Sequence, residues 1–332
     1  MKWFLDLAGF SKDQLDDLLM LAQQLDIYPE PNALSGKVMT MIMLRHSFHT
    51  RASMGAAMAR LGGKVINIGP SGSGWEIETG DGVMDGHSAH HALDMIPSMG
   101  AYSDVLGIRA PGGFRDLASD LREDVFTKLC KASPVPMINL ESAINHPCQS
   151  LGDWKTMNDA EIPSQGGRLV LTWSHNTAPH PFGVTAATLH MAALRGMRVT
   201  VLRPDEYALP PPLIAKAQRA AAQHGGSIVE TADRDKAFEA ARVVYAESWV
   251  SPSNYADKEA ELELRQKYRD WCIDERWFHA AVEECRFMHA LPLRRGISVA
   301  EDILDGPRSL VLEQARNRML TQMAVLYRML KR

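Results

Sequence analysis

Ser47-Phe48-His49-Thr50-Arg51 is the stretch on which the predicted fold of the chain depends. An apolar, strand-like run from Val38 to Leu44 precedes it, and a helix-like run from Ala52 to Leu61 follows it. A second strand pattern, Val65 to Ile68, comes after a pair of glycines. A strand, a polar loop, a helix and a strand in this order direct the N–H groups at the start of the helix toward an anion.

The side chains of this loop suit a phosphate group. The hydroxyls of Ser47 and Thr50 can cap the helix and donate hydrogen bonds to phosphate oxygens, and Arg51 adds a planar, cationic fork of donors. The alternative is an ordinary helix cap followed by a surface arginine. The stretch alone does not separate the two interpretations, so the rest of the chain has to decide.

Length and composition limit the classes of protein that the sequence fits. The 332 residues are enough for two domains, and 45% hydrophobic and 23% charged residues are ordinary globular values. A formal charge of -4 argues against nucleic acid as a partner. The four cysteines form no C-x-x-C pair, and the sequence shows neither a signal peptide nor an apolar run of bilayer length. These features predict a cytoplasmic protein without a membrane span.

Strand and helix patterns alternate along both halves of the chain. This alternation predicts two α/β domains with parallel sheets, comprising residues 1–150 and 151–311, and a final helix over residues 312–332 that completes the first domain. Further patterns predict helices at Ser11 to Leu25, Ser88 to Tyr102, Asp116 to Lys131 and Val184 to Arg195, and strands at Val105 to Arg109, Met137 to Leu140, Leu169 to Trp173, Val199 to Leu202, Ser227 to Glu230, Val243 to Ala246 and Arg286 to His289.

Four polar clusters fall at the ends of predicted strands or on the final helix. Arg109 ends one strand, His146-Pro147-Cys148-Gln149 follows the next, His289-Ala290-Leu291-Pro292 ends the last strand, and Arg318 lies on the closing helix. Separately, each has a simple explanation as a rim charge or a turn. Ligands of open α/β sheets bind beyond the carboxyl ends of the strands, so together the clusters indicate a ligand site.

These motifs resemble the aspartate/ornithine carbamoyltransferase family, whose signatures read S-x-R-T-R, H-P-x-Q and H-C-L-P. The resemblance covers essentially the whole chain. It is strongest to the N-acetylornithine and N-succinylornithine carbamoyltransferase branch, through Trp173, the proline-rich loop from Ser174 to Gly183, and Leu291-Pro292-Leu293-Arg294-Arg295. It implies the carbamoyltransferase fold with a trefoil knot in the second domain, a topology that the bare sequence would not suggest.

The resemblance also implies a role for each candidate residue. The carbonyl oxygen of carbamoyl phosphate would accept hydrogen bonds from the catalytic residues Thr50, Arg109 and His146, each worth typically about 3 kcal/mol. The phosphate would be held by Ser47, the Phe48 N–H group, His49, Thr50, Arg51 and Arg318. The carbamoyl NH2 group would donate to Gln149 and to the carbonyls of Ala290 and Leu291, Glu141 would line the amine pocket, and Trp75 would cover the site of a neighbouring subunit or anchor its own loop.

Several residues depart from the pattern of the family. His49 replaces an arginine, Ala290 replaces the cysteine of H-C-L-P, and Glu247 and Ser298 stand where this branch has pocket lysines. One extra residue separates Glu141 from His146. Glu247 inverts a charge, and a like-charge contact with an acceptor carboxylate would cost a few kcal/mol. This inversion favours an amine with a cationic or a neutral group at that place.

The sequence thus supports two hypotheses. The first is a cofactor-free, cytoplasmic, homotrimeric carbamoyltransferase of the arginine-biosynthesis type, which transfers the carbamoyl group of carbamoyl phosphate to the primary amine of an ornithine-like amino acid, with or without an N-acyl group. The second is a diverged paralogue with another amine acceptor, or with a non-catalytic metabolite-binding role. No metal is expected, because His87, His90 and His91 lack a persuasive further ligand and suit a solvated helix face.

Overall fold

The structure, a computed structural model, describes residues 1–70, 77–80 and 82–331. The chain divides into two compact units: unit 1 comprises Met1–Gly113, Ala118–Gly152 and Arg318–Arg332, and unit 2 comprises Phe114–Leu117 and Asp153–Asn317. Each unit contains one five-stranded sheet in which all neighbouring strands are parallel. The prediction of two parallel-sheet α/β domains is therefore confirmed.

The sheet of unit 1 has the strand order β1-β7-β6-β2-β3. The chain leaves β2 for β3 on one side of the sheet, whereas β6 and β7 lie on the other side. The elements up to residue 159 are β1 (Trp3–Phe4), α1 (Lys12–Ile27), β2 (Val38–Met43), α2 (Phe48–Arg60), β3 (Lys64–Ile68), β4 (Ile77–Glu78), β5 (His90–His91), α3 (Ala92–Ala101), β6 (Val105–Ala110), α4 (Leu117–Arg122), α5 (Asp124–Ala132), β7 (Met137–Ser142) and α6 (Pro147–Asp159).

The sheet of unit 2 has the order β10-β9-β8-β11-β12 and the same plan. Here the chain leaves β8 for β9 and β10 on one side, and β11 and β12 lie on the other. The remaining elements are β8 (Arg168–Trp173), α7 (Gly183–Leu194), β9 (Arg198–Leu202), α8 (Pro211–Gln223), β10 (Ser227–Thr231), α9 (Arg234–Phe238), β11 (Val243–Glu247), α10 (Lys258–Gln266), β12 (Arg286–His289), α11 (Glu301–Leu304) and α12 (Val311–Leu330), with short 3₁₀ helices at Asp205–Tyr207, Pro252–Asn254 and Glu275–Ala280.

Local chemistry explains where several helices begin. Ser11 caps α1 in a capping box, because its side chain accepts from the Gln14 N–H group while the Gln14 side chain accepts from the Ser11 N–H group. Ser47 caps α2, so this helix begins at Phe48 and not at Ala52 as predicted. The core of unit 1 lies where β2, β6 and β7 pack against α3 and α5, and it includes Ile42, Ile96, Leu106, Ile108, Phe126 and Leu129.

Two helix predictions are wrong in an informative way. The single helix expected from Asp116 to Lys131 is broken into α4 and α5 at Glu123, whose φ of 55° is left-handed. The helix expected from Ser88 begins only at Ala92, because His90 and His91 form a strand that pairs with Ile77 and Glu78. The solvated helix face that we predicted for these histidines is therefore wrong.

Gly152 marks a close approach between α6 and α12. A Cβ atom at this position would lie 2.7 Å from Arg318 Cα and 2.9 Å from Arg318 N, and both are backbone atoms that cannot move without shifting the helix. Gly152 therefore permits the packing that brings Arg318 into unit 1.

Gly152→Ala is expected to lower the free energy of unfolding by about 1–3 kcal/mol, since overpacking a tight helix contact forces a backbone shift. Gly55→Ala in α2 is the matched control, because no atom lies within 4 Å of its added Cβ. The control should raise the free energy of unfolding by up to about 1 kcal/mol through helix propensity. Equilibrium denaturation of the two variants measures both effects, and equal effects would contradict this account of Gly152.

Candidate active site

The N-terminus of α2 presents donors of the kind that bind anions. Ser47 has an extended backbone, and its side-chain oxygen accepts from the Thr50 N–H group at 3.2 Å. The Arg51 N–H group donates to the Ser47 carbonyl at 3.1 Å. Phe48 and His49 are the first two residues of the helix, and N–H groups at those positions have no acceptor within the helix. A phosphate at this end would also meet the positive end of the helix dipole.

The Thr50 hydroxyl is buried and already accepts two hydrogen bonds. Ser47 Oγ donates to Thr50 Oγ1 at 3.0 Å, and Arg318 Nη2 donates to the same oxygen at 2.7 Å. A hydroxyl has two acceptor positions and one proton to donate. With both acceptor positions used, the Thr50 proton is available to a ligand.

Arg318 and Gln149 bring two further helices to the same place. Arg318, on α12, donates from Nη1 to Gln149 Oε1 at 3.0 Å, and its residue is only 6% exposed. Gln149 lies in the first turn of α6, where its N–H group and that of Ser150 both donate to the His146 carbonyl at 3.0 Å. Pro147 stands at the first helical position, which lacks an intrahelical partner in any case. The motif His146-Pro147-Cys148-Gln149 is therefore a helix start.

Arg109 and Glu141 form a buried pair beside His146. Arg109 Nη2 donates to Glu141 Oε2 at 2.5 Å, and Nη1 donates to the carbonyls of Arg45 and His46 at 3.0 and 3.3 Å. The register between β6 and β7 slips after Ile108, which places Arg109 opposite Glu141. His146 Nε2 lies 3.9 Å from Glu141 Oε2. The register slip is the local feature that brings these three side chains together.

These groups lie at the point in the sheet of unit 1 where the strand order reverses, between β2 and β6. The loop 44–47 follows β2, Arg109 lies near the end of β6, and His146 follows β7, and these three strands are neighbours in the sheet. In open α/β sheets, ligands bind at the carboxyl ends of the strands where the strand order reverses. The predicted residues of unit 1 thus converge at the edge where such a site is expected.

Burial and nearby positive charge determine the state of two histidines at this edge. Burial first, and then the charges of Arg318 and Arg109, hold the pKa of His146 well below its ordinary value. Burial and Arg318 also lower the pKa of His49. Both imidazoles are therefore neutral near pH 7, and a bound anion would offset the guanidinium charges that act on them.

Arg51 and Phe48 take less part in the buried network. Arg51 Nε donates to Met43 Sδ at 3.3 Å, so its guanidinium lies against the end of β2. The Phe48 side chain is 87% exposed, in keeping with a role expected only for its N–H group. Trp75 lies outside the described residues, as does the rest of 71–76.

The candidates of unit 2 follow the last strand of its sheet. Ala290 is 7% exposed, its carbonyl accepts from His289 Nδ1 at 2.6 Å, and the Leu291–Pro292 peptide is cis. Ser298 Oγ donates to the His175 carbonyl at 2.7 Å. The serine that stands in place of the branch's lysine therefore makes a hydrogen bond within unit 2.

Glu247, the charge-inverted position, is buried and paired. Its Oε1 accepts from His180 Nδ1 at 2.7 Å and from the Ser248 N–H group at 2.8 Å. His180 lies in the proline-rich loop that follows β8. Sequence reasoning singled out Glu247 but not its partner, because no pattern connects two residues 67 positions apart.

Sequence reasoning also missed Glu123. Its carboxylate accepts from the Ser142 hydroxyl, from the Ile144 N–H group at 3.3 Å and from Asn145 Nδ2 at 3.1 Å. These contacts fix the segment between β7 and His146. The break in the predicted helix thus positions the loop that leads into the site.

Within the described part of the chain, no three His, Cys, Asp or Glu side chains are grouped so that they could hold a metal ion. His91 instead caps α3, since its Nδ1 accepts from the Leu93 N–H group at 3.2 Å. A search of the described residues also finds no helix with the length and apolar character needed to span a bilayer.

The neutral state of buried His146 predicts how stability depends on pH. Because its pKa is depressed in the folded protein, the unfolded chain binds more protons below the ordinary histidine pKa of about 6.5. The free energy of unfolding should therefore fall as the pH is lowered from about 6.5 to 5, with His146 contributing at most about 1.4 kcal/mol per pH unit. Denaturation at pH 8 and at pH 5.5 tests this, because His146→Gln should reduce the difference between the two pH values. An unchanged difference would contradict it.

Comparison with known proteins identifies the domains of the chain. Residues 2–159 match the domain described as the carbamoyl-P binding domain of aspartate/ornithine carbamoyltransferase, and residues 183–329 match its Asp/Orn binding domain. N-acetylornithine carbamoyltransferase of Xanthomonas campestris is 32% identical over 98% of this chain and 97% of its own length. N-succinylornithine carbamoyltransferase of Bacteroides thetaiotaomicron is 30% identical over 89% of this chain and 88% of its own.

Two solved structures resemble the chain over almost its whole length. A crystal structure of acetylornithine transcarbamylase complexed with acetylcitrulline superposes with a TM-score of 0.94 at 31% identity, and it covers 100% of both chains. A crystal structure of N-acetyl-L-ornithine transcarbamylase has a TM-score of 0.92, also at 31% identity, and covers 99% of this chain and 100% of its own. The chain belongs to the aspartate/ornithine carbamoyltransferase family.

Proposed function

We propose that this protein transfers the carbamoyl group of carbamoyl phosphate to the primary amine of an ornithine-like amino acid, with unit 1 binding carbamoyl phosphate and unit 2 binding the amine. The observation that carries the proposal is the convergence of Thr50, Arg109, His146 and Arg318 at the carboxyl edge of the unit 1 sheet. The guanidinium groups of Arg51, Arg109 and Arg318 lie at this edge, so a dianionic phosphate would suit its cationic groups.

The reaction needs charge stabilisation at two places. As the amine attacks the carbonyl carbon, negative charge develops on the carbonyl oxygen, where Thr50, Arg109 and His146 would donate hydrogen bonds. The bond to the phosphate oxygen then breaks, and phosphate leaves with the bonding electron pair. The Phe48 N–H group, His49, Arg51 and Arg318 would hold it, and Ser47 would join them by turning its hydroxyl proton from Thr50 to a phosphate oxygen. The nitrogen gives its surplus proton to the departing phosphate, so the products are a ureido compound and hydrogen phosphate. The step needs no covalent enzyme intermediate and no cofactor.

The Thr50 proton and the neutral His146 fit the role of donors. Both acceptor positions of the Thr50 oxygen are used by Ser47 and Arg318, which orients its proton away from them. A neutral imidazole carries one N–H donor, and burial keeps His146 from gaining a second proton. Each of these donors is expected to be worth about 3 kcal/mol in the transition state.

The NH2 group of carbamoyl phosphate would donate hydrogen bonds to three acceptors. Gln149 Oε1 and the carbonyls of Ala290 and Leu291 are the proposed partners. The Ala290 carbonyl accepts from His289 Nδ1 and keeps a second lone pair for a ligand. This role uses the backbone carbonyl, so the replacement of the family cysteine by Ala290 leaves it unchanged.

The resemblance further implies a homotrimer in the cytoplasm that acts in arginine biosynthesis, with Trp75 reaching a neighbouring subunit. These points are part of the proposal. They rest on the relatives and not on any contact of the described residues.

Arg51→Ala is expected to abolish measurable binding of carbamoyl phosphate, since it removes a guanidinium from the proposed phosphate site. Arg60→Ala is the matched control: it removes an exposed arginine from the last turn of the same helix and should leave binding unchanged. Calorimetric titration with carbamoyl phosphate measures both variants, and colorimetric detection of the ureido product over a panel of amines measures activity.

The outcomes separate the two hypotheses. Unchanged affinity in Arg51→Ala would contradict the assignment of the phosphate loop. Tight binding of carbamoyl phosphate without ureido product from any amine would favour the non-catalytic paralogue, which His49, Ala290 and Glu247 motivate.

A further inference from the structure

The last strand of the unit 2 sheet has an outer side that other parts of the chain cover. β12 stands at the end of the strand order, so the N–H groups on its outer side face no further strand of the sheet. The Phe287 N–H group donates to the Arg308 carbonyl at 2.7 Å, and the Leu310 N–H group donates to the Phe287 carbonyl at 2.8 Å. At the next outward position, the His289 N–H group donates to Gln314 Oε1 at 2.9 Å. A side chain of α12 therefore holds the end of β12.

The orientation of the Gln314 amide follows from the two groups that it contacts. A backbone N–H group can only donate, so the amide oxygen of Gln314 must face His289. Its NH2 group then faces Asp153, and Nε2 donates to Asp153 Oδ1 at 2.8 Å. Gln314 and Asp153 are 2% and 0% exposed. A reversed amide would place two donors against each other at His289, which is costly where water cannot reach.

The second oxygen of Asp153 is tied to the sheet of unit 2. Tyr245 lies on β11, with Met288 of β12 as its register partner, and its hydroxyl donates to Asp153 Oδ2 at 2.9 Å. Burial first, and then the charge of Asp153, raises the pKa of Tyr245 well above its ordinary value, so the phenol keeps its proton and donates. Asp153 thus accepts a hydrogen bond at each oxygen, and the two bonds connect α6 with α12 and with the sheet.

The strand end that this network holds leads directly into two of the proposed ligand groups. His289 is the last residue of β12, and Ala290 and Leu291 follow it. Their carbonyls are proposed acceptors for the NH2 group of carbamoyl phosphate. The backbone sets the direction of a carbonyl, and a displacement of about 1 Å is enough to weaken a positioned contact. The hydrogen bonds that fix His289 therefore also determine where these two carbonyls point.

We propose that Asp153 and Gln314 are positioning residues for the carbamoyl group. Through His289 they direct the carbonyls of Ala290 and Leu291 toward the NH2 group of carbamoyl phosphate, and neither of the two touches the substrate itself. Their effect is on selectivity among acyl phosphates, because acetyl phosphate has a methyl group in place of NH2 and offers no donor to a carbonyl. This inference rests on the proposed function, since it takes carbamoyl phosphate as the ligand.

Calorimetric titration of the full-length protein with carbamoyl phosphate and with acetyl phosphate measures this selectivity. The two ligands carry the same phosphate group, so the ratio of their dissociation constants reports the contacts of the NH2 group. The unaltered protein should bind carbamoyl phosphate at least about tenfold tighter, as expected for donors that meet fixed acceptors. The affinity for acetyl phosphate by itself reports the state of the phosphate site.

Asp153→Leu and Gln314→Met each remove the polar atoms of one residue and keep its approximate size. Either change should lower the ratio to below about threefold, while the affinity for acetyl phosphate stays within about twofold. Gln314→Met tests the same step if Asp153→Leu does not fold. Asp153→Asn should keep the ratio, because an asparagine oxygen still accepts from Gln314 and a tyrosine hydroxyl can accept as well as donate.

Gln322→Met is the matched control for Gln314→Met. It makes the same change about two turns further along α12. Gln322 is 1% exposed, and both polar atoms of its side chain are buried without a hydrogen-bond partner among the described residues. The control therefore removes a buried amide from the same helix without breaking a contact to β12, and it should leave the ratio unchanged.

An undiminished ratio in folded Asp153→Leu or Gln314→Met would overturn this inference, and so would an equal loss in Gln322→Met or in Asp153→Asn. A parallel loss of affinity for acetyl phosphate would also overturn it, because the variant would then have disturbed the phosphate site. Equal affinity of the unaltered protein for the two ligands would have the same consequence.

The two proposals fail separately. Ureido product from the unaltered protein, together with an undiminished ratio in the variants, would overturn the positioning role and leave the carbamoyltransferase function standing. Binding of neither acyl phosphate by the unaltered protein would refute the proposed function, and this inference with it.

Discussion

The arrangement of the two helix starts in unit 1 depends on the Arg318 guanidinium. It is 6% exposed and donates to Thr50 and to Gln149, which lie at the starts of two different helices. Burying a cation is expensive, so it persists only with good hydrogen bonds and a compensating charge. Burial, and after it the charge of Arg318, lowers the pKa of His49 and of His146. In the proposed reaction, a phosphate bound at this edge of the sheet would meet the charge of Arg318.

Units 1 and 2 have the same sheet plan, but the groups at their reversal points differ in charge. In unit 1 the reversal point between β2 and β6 is flanked by the cationic Arg109 and by donors at the start of α2. In unit 2 the reversal point between β8 and β11 carries the ionised Glu247. A duplicated architecture thus provides one edge suited to an anion and another suited to a donor-rich group. This division matches a reaction between an acyl phosphate and an amine.

The sequence predicted the sheets well because buried parallel strands are continuous apolar runs ended by polar residues. It did not predict α6, whose residues 147–157 are buried on all sides, so the stretch has no amphipathic period to detect. It also missed the break at Glu123, since the reason for that break is a set of contacts with Ser142, Ile144 and Asn145 that are remote in sequence. Sequence motifs identified the candidate residues of unit 1. The pairing of Glu247 with His180 could be found only from the three-dimensional structure.

The most direct test is a crystal structure of the protein grown with carbamoyl phosphate. The account predicts phosphate oxygens within hydrogen-bonding distance of Ser47, Arg51 and Arg318, and the carbonyl oxygen within reach of Thr50, Arg109 and His146. Carbamoyl phosphate absent from this edge of unit 1, or bound elsewhere while these side chains keep their present contacts, would contradict it.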